Sequence, residues 1–453
     1  MEKKKYLSFQ GKIGYGMGDS AWSFISCIIS SFMLIYLTDT VGLNAGIVGT
    51  LMMVARIFDG VSDVVFGRLL DKTHTKMGKA RPWMFWSIFG AAISLALLFA
   101  IPTGLGDKAK YIYFFIFYML ANTIFYTSGY IAYSTLMSLI TKNNEERVQI
   151  TAYRTIAGNL SYMILGSISI GAVAALGGGA VGWRNLAIIY AIISIIINSV
   201  SVFSSKELPE DENEGSIAEA VKESNTSLAH VIKVVLKCKY FYFILAIMIL
   251  IYVFATVFQT SAVYYATYVL GSSDFLGVLV SVNYGVTMGA AFLVPLVVKR
   301  MNVYKVSIAG MIIGLLGRFI AMGGGYMSTI GIILIGIAVA TIGTAVIQTT
   351  SYTMMASTSE YIYLKDHVRV NGVVFSCASM GIKVGSGVGS ALCGILLNAG
   401  GYVANAAQQS QSCINMLNFL FLWIPIIVSG IMILILVFMD VDKQVDKLRE
   451  REV

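Results

Sequence analysis

The chain has 453 residues, 57% of them hydrophobic and only 12% charged, against roughly a quarter charged in soluble domains. No water-soluble fold hides that much apolar surface, whereas twelve membrane-spanning helices of about 20 residues each fit the length with room for loops. The net charge of +8 comes from loop lysines and arginines on one side of such a fold, so it reports membrane orientation and excludes a nucleic-acid-binding reading.

Met1 to Lys5 (MEKKK) leads into no apolar core with a small-residue cleavage site, so the first helix is expected to serve as its own insertion signal. Apolar runs broken by polar or glycine-rich stretches predict spans at Ile13 to Leu37, Ala45 to Leu70, Trp83 to Ile101, Tyr111 to Ile140, Ile150 to Leu176 and Leu186 to Phe203. After a break they resume at Tyr240 to Leu270, Leu276 to Val298, Val306 to Met322, Ile330 to Met355, Val370 to Leu397 and Ile414 to Met439. The pattern is six spans (residues 1–203), a linker (204–239) and six spans with a tail (240–453). The linker opens with an acidic tether, Pro209 to Gly215, and ends with Leu228, Ile232, Val235 and Leu236 among Lys233, Lys237 and Lys239, the pattern of a short amphipathic helix lying on the bilayer.

Most of the 32 Lys and Arg fall in the N-terminus, the C-terminus, the linker and the loops after spans 2, 4, 8 and 10; the alternate loops hold only Lys108, Lys110 and Arg184. Both termini and the linker are therefore expected in the cytoplasm. Cys27, Cys238, Cys377, Cys393 and Cys413 lack the paired spacing of zinc sites or disulfide scaffolds and read as packing residues. His74, His230 and His367 fall in predicted loops, away from any intramembrane metal site.

Charges inside the spans point to function. Arg56, Arg154, Arg318 and Lys383 lie within apolar runs, as do Asp19, Asp59 and Asp63, while Arg68 is near enough to a span end to snorkel. A central charge costs about 2.5–3.5 kcal/mol on the insertion scale, so such groups are paired and face a cavity. Asp59 and Asp63 share a helix face, with Arg56 on nearly the same stripe. Two carboxylates against one guanidinium attract a cation; the alternative is a salt bridge that only fixes packing. Asp19 follows Gly14, Gly16 and Gly18, which suit close helix contact, and Trp22 one turn later offers a flat apolar face.

At these residues the chain resembles the glycoside-pentoside-hexuronide:cation symporter family, a branch of the major facilitator superfamily that includes the melibiose permease. The resemblance runs through Tyr15-Gly16-Met17-Gly18-Asp19, Tyr36-Leu37-Thr38-Asp39 and Gly42-Leu43, and is densest at Ala55-Arg56-Ile57-Phe58-Asp59-Gly60-Val61-Ser62-Asp63. Gly67, Asp71-Lys72-Thr73, Gly78-Lys79, Arg81-Pro82-Trp83, Tyr133-Ser134, Glu146-Arg147, Tyr153-Arg154, Glu360-Tyr361, Arg369, Phe375-Ser376 and Lys383 follow in the family's order.

The resemblance implies an all-α polytopic protein of two six-helix bundles around a central cavity. It implies inward symport of a sugar or glycoside with H+, Na+ or Li+, no cofactor beyond the co-transported ion, and residence as a monomer in a prokaryotic inner membrane. It places Asp59 and Asp63 in the cation site, which is a metal site if the ion is Na+, with the Thr127 hydroxyl near them. It also places Asp19 and Arg154 at the sugar and turns Lys383 toward the cation site. Ser62 stands where sodium-using melibiose permeases carry Asn, and Tyr130 where they carry an Asp. The shorter Ser62 favours proton coupling, with sodium the alternative, and Tyr130 with Tyr126 offers rings for a pyranose. A neutral glycoside and a hexuronide or glucuronide are equally compatible. A drug/proton antiporter or exporter of the same superfamily is the rival reading; a membrane-embedded enzyme would need a nucleophile–base pair or metal motif that the sequence does not display.

Overall fold

In hydrocarbon every backbone N–H and C=O has to be satisfied within its own segment, which leaves helices as the outcome for runs this apolar. The computed structural model of the chain describes residues 5–102, 104–209, 228–298, 301–368 and 370–452, without side chains at 64, 144, 228–229, 291, 295–296, 371–372, 376–378 and 451–452. The acidic stretch after Pro209, Arg369, and the side chains of Leu228, Ser376 and Cys377 lie outside the described residues.

Among the described residues twelve helices are long and apolar enough to cross a membrane. Spans 1 to 6 are Phe9–Thr40, Ala45–Asp71, Arg81–Leu98, Asp107–Ile140, Glu145–Ala175 and Gly179–Ser204. Spans 7 to 12 are Lys239–Val269, Phe275–Val294, Val303–Tyr326, Ile330–Asp366, Val373–Ala399 and Gln411–Glu450. Several helices overrun the apolar stretches read from sequence, because a helix continues past the hydrocarbon wherever no breaker intervenes. Their starts are set by side-chain caps from Ser8, Asn44, Asn143, Asn302 and Ser410. The linker helix, Leu228–Lys237, forms as expected. Its Val231 and Val235 are buried, and Ile232 and Leu236 are exposed; His230 lies on this helix rather than in a loop.

Small residues set which helices touch. A Cβ at Gly317 would meet the Ala340 amide at 2.3 Å, and one at Gly336 the Ala321 amide at 2.3 Å, so spans 9 and 10 pack backbone to backbone. Gly385 and Gly389 bring span 11 against span 7, and Gly394 brings it against Ala45 and Gly49 of span 2. In span 1, Gly14, Gly16 and Gly18 abut Ser204, Tyr153 and Tyr133. Those glycines serve packing.

Contacts between the first six and last six spans gather at the face opposite the chain ends. There the Asp39 carboxylate accepts from Tyr268 at 2.6 Å and Tyr402 at 2.5 Å, and Asn405 donates to its carbonyl. Thr38 and Tyr264 share a hydrogen bond at 3.0 Å, and Asn44 donates to Asn398. Deeper, the Ser167 hydroxyl pairs with Ser281 at 3.1 Å between spans 5 and 8. Beneath this closed face is a cavity of about 890 Å³ lined by both halves, its wall reaching Asp63 and Thr135 toward the ends of spans 2 and 4 that lie on the side of the chain ends.

Candidate functional site

Span 2 delivers Asp59 and Asp63 to the cavity wall one turn apart. Asp59 is only 2% exposed and is held by its own half of the chain. Arg56 Nη1 donates to it at 3.2 Å, Asn122 Nδ2 at 3.0 Å, and the Thr123 hydroxyl donates to its other oxygen. Asp63 is met from the opposite half: Lys383 Nζ of span 11 lies 2.5 Å from its carboxylate, and Ser379 donates to the same oxygen at 2.9 Å. The Lys383 ammonium also donates to the Asp59 backbone carbonyl. One lysine thus bridges both acidic residues across the interface between the halves.

Asn122 and Thr123 reach Asp59 because span 4 loosens to a π-helix over Met119–Tyr126, a local geometry frequent at functional sites. The Thr127 hydroxyl donates to the Asn122 carbonyl at 3.1 Å, five residues back, and so satisfies a backbone group in the widened turn. Thr127 lines the cavity without bonding to either carboxylate. Ser62 likewise spends its hydroxyl on the Asp59 carbonyl, at 2.9 Å.

The second group lies deeper in the first half. Arg154 Nε donates to Asp19 at 3.1 Å, and Tyr130 sits between the pair and the cavity. The Tyr130 hydroxyl accepts from Arg154 Nη2 at 2.7 Å and donates to Asp19 at 3.2 Å. Its ring stacks on Tyr126 with centroids 5.3 Å apart, and the Arg154 guanidinium lies over the Tyr133 ring. Gly158 leaves room for the Asp19 carboxylate, which a Cβ there would meet at 2.1 Å. Trp22 is fully buried, edge-on to Tyr126 and pressed on Gly129. Among the residues predicted for substrate, Tyr126 and Tyr130 form cavity wall, and Asp19, Arg154 and Trp22 stand behind them.

Aromatic and amide groups from both halves complete the wall, among them Tyr162, Tyr252, Gln259, Asn283, Tyr284 and Gln348. At about 890 Å³ the space lies within the roughly 300–1,000 Å³ range of small-molecule sites. Tyrosine rings present apolar faces and the amides present both donors and acceptors, a lining suited to a molecule that is hydroxyl-rich on its edges and apolar on its faces.

The family model described as MFS/sugar transport protein matches residues 14–443. The chain is 29% identical over 97% of its length to the isoprimeverose transporter of Lactiplantibacillus pentosus, covering 90% of that protein. It is 27% identical to the glucuronide carrier protein homolog of Escherichia coli K12, over 89% of this chain and 87% of that one. In fold it is similar to the crystal structure of a D-xylose-proton symporter, with a TM-score of 0.65 at 13% identity over 94% of this chain and 97% of that one.

Proposed function

Because the chain belongs to the MFS/sugar transport protein family and is thereby a multi-pass membrane transporter, we propose that it carries a sugar or glycoside into the cell together with a monovalent cation. The observation that carries the reading is Lys383, a fixed ammonium held between Asp59 and Asp63 at the wall of a cavity lined by tyrosines and amides. A mobile cation arriving at Asp63 displaces Lys383 and takes over its charge. The same event undoes a tie between span 2 and span 11, so cation occupancy alters how the halves engage.

Sugar binds between the halves, stacked on Tyr126 and Tyr130, whose hydroxyl the Asp19–Arg154 pair orients. The closed Asp39 face and the cavity on the other side correspond to a state open to the cytoplasm, given that loop lysines and arginines place both chain ends there. The protein works as a monomer in the inner membrane of a bacterium. The cation is a proton or a sodium ion; Ser62 stands off the cavity wall with its hydroxyl donated to the Asp59 carbonyl of its own helix, an arrangement that supports the proton.

The experiment is uptake of a panel of labelled glycosides into de-energised cells, with a pH jump and a Na+ jump applied separately. Accumulation of at least one glycoside above its outside concentration after one of the two jumps is the expected result. Equilibration without accumulation under both would overturn cation coupling.

A further inference from the structure

The intramembrane cations do not all have partners. Arg56 has Asp59, Arg154 has Asp19 and Lys383 has Asp63. Arg318, in span 9, is only 4% exposed, and none of its three guanidinium nitrogens has a hydrogen-bond partner. The sequence offers it no acid: within residues 240–453 the carboxylates are Asp274, Glu360, Asp366 and those from Asp440 onward, all at helix ends or in loops. The Phe254 ring, 4.7 Å from Cζ, is its one electrostatic contact among the described residues. A buried, always-charged guanidinium without hydrogen bonds is a costly feature, and five N–H donors in a fixed fork match a planar two-oxygen anion.

Room for such an anion exists. Arg318 lines an annex of about 30 Å³, space for about two water-sized atoms. Phe254, Phe258 and Asn283 line both the annex and the main cavity, so the annex adjoins the central space. Gly314, one turn before Arg318, would hold a Cβ 3.1 Å from Nη1, so its lack of a side chain leaves the guanidinium free of that contact. Thr341, at the annex wall, accepts from Asn283 Nδ2 at 3.1 Å, so its own hydroxyl proton is free for a third group.

We propose that the annex at Arg318 is a subsite for a carboxylate-sized anionic group, held bidentate by the guanidinium and entering from the central cavity. Resting on the reading of that cavity as the glycoside path, the group is the carboxylate of an acidic sugar whose ring occupies the main space. A small free anion is the other source of the same chemistry.

The test uses the purified full-length chain in lipid nanodiscs. Sodium formate, titrated against phosphate at constant ionic strength, should raise the thermal midpoint saturably in the wild type and not in Arg318→Gln. Thr341→Val, which keeps the charge, should weaken the formate response about tenfold or more, the loss of one hydrogen bond to an ion. No saturable formate effect in the wild type overturns the proposal, whatever the variants do. Calorimetry with a matched 4-nitrophenyl glucuronide and glucoside then identifies the source. A glucuronide bound at least about tenfold more tightly than the glucoside, with Arg318→Gln erasing the preference and keeping the glucoside affinity, assigns the anion to the substrate. A formate effect without that preference assigns the subsite to a free anion and overturns the acidic-sugar half. A formate effect in a protein that binds no glycoside leaves the anion subsite standing while the glycoside reading fails.

Discussion

Lysine 383 stands between Asp59 and Asp63, where the proposed co-transported ion would bind, and the partners around it differ in how firmly they are held. Among the described residues, the Asp59 carboxylate keeps three donors from its own half when Lys383 leaves, and Asp63 keeps Ser379 alone, from the other half. Asp63→Asn should therefore abolish accumulation while facilitated equilibration of sugar persists, measured as loss of uphill uptake with intact counterflow; uphill uptake in this variant would contradict the exchange. Lys383→Ala should leave an uncompensated carboxylate and tighten cation binding, read by calorimetry, while weakening the dependence of sugar affinity on the cation. Asn122→Ala removes a buried bond to a charged group, worth about 1.5–3 kcal/mol, so the thermal midpoint should fall; an unchanged midpoint would make Asn122 dispensable to the Asp59 site. The acids and cations were legible in the sequence because a charge inside an apolar run is costly unless it is paired or faces a cavity. Asn122 was not: an ordinary 3.6-residue period turns it away from Thr127, five residues on, and the π-turn that brings it to Asp59 leaves no mark in composition; Thr123, one α-turn before Thr127, shares its stripe and was open to that reading. Trp22, whose flat face suggested a ligand platform, is packed against Gly129 behind the cavity wall, as a tryptophan in a helix interface commonly is.

Helix ends and helix contacts make separate demands. At the start of span 3 the Glu207 carboxylate, just past the end of span 6, accepts from the amides of Lys79, Ala80 and Arg81 at 2.7, 2.9 and 3.0 Å. A negative charge on an unsatisfied helix N-terminus stabilises it by about 0.3–1 kcal/mol beyond the hydrogen bonds themselves. Glu207→Gln should lower the thermal midpoint and expose the loop before span 3 to protease, with no change in substrate affinity; an unchanged midpoint would reduce the contact to a surface feature. Gly78 beside it adopts φ of +106°, and a Cβ there would meet the Glu207 carboxylate at 2.5 Å or less, so the glycine belongs to the same cap. Span existence and order followed directly from hydropathy. The ends did not, because helices such as Ile330–Asp366 continue as far as their caps allow, past the apolar stretch that revealed them. The linker helix was legible from its periodicity, but which part of its apolar face meets protein and which stays exposed depends on tertiary contacts.

Alternating access requires that the face closed here can open, and its closure rests on few groups. Asp39 collects two tyrosine hydroxyls from the other half, and Gly394 lies so close to span 2 that a Cβ would meet the Ala45 carbonyl at 2.3 Å. Asp39→Ala should shift the population toward the outward-open state by about tenfold or more, given about 1.5–3 kcal/mol per hydrogen bond to a charged group. Electron-electron distances between spin labels at Thr40→Cys and Asn405→Cys should lengthen accordingly; an unchanged distribution would mean that packing alone closes the face. For the whole molecule, one charge moving down 100 mV releases about 2.3 kcal/mol, enough for roughly fiftyfold accumulation. The central claim is that sugar and cation move together because the cation replaces Lys383 at Asp63. Its most direct test is the charge displaced when a transported glycoside is added to proteoliposomes on a sensor membrane, with no ion gradient imposed. The account predicts an inward positive current in the wild type that vanishes in Asp63→Asn while the glycoside still equilibrates; glycoside uptake without current in the wild type, or an undiminished current in the variant, would contradict it.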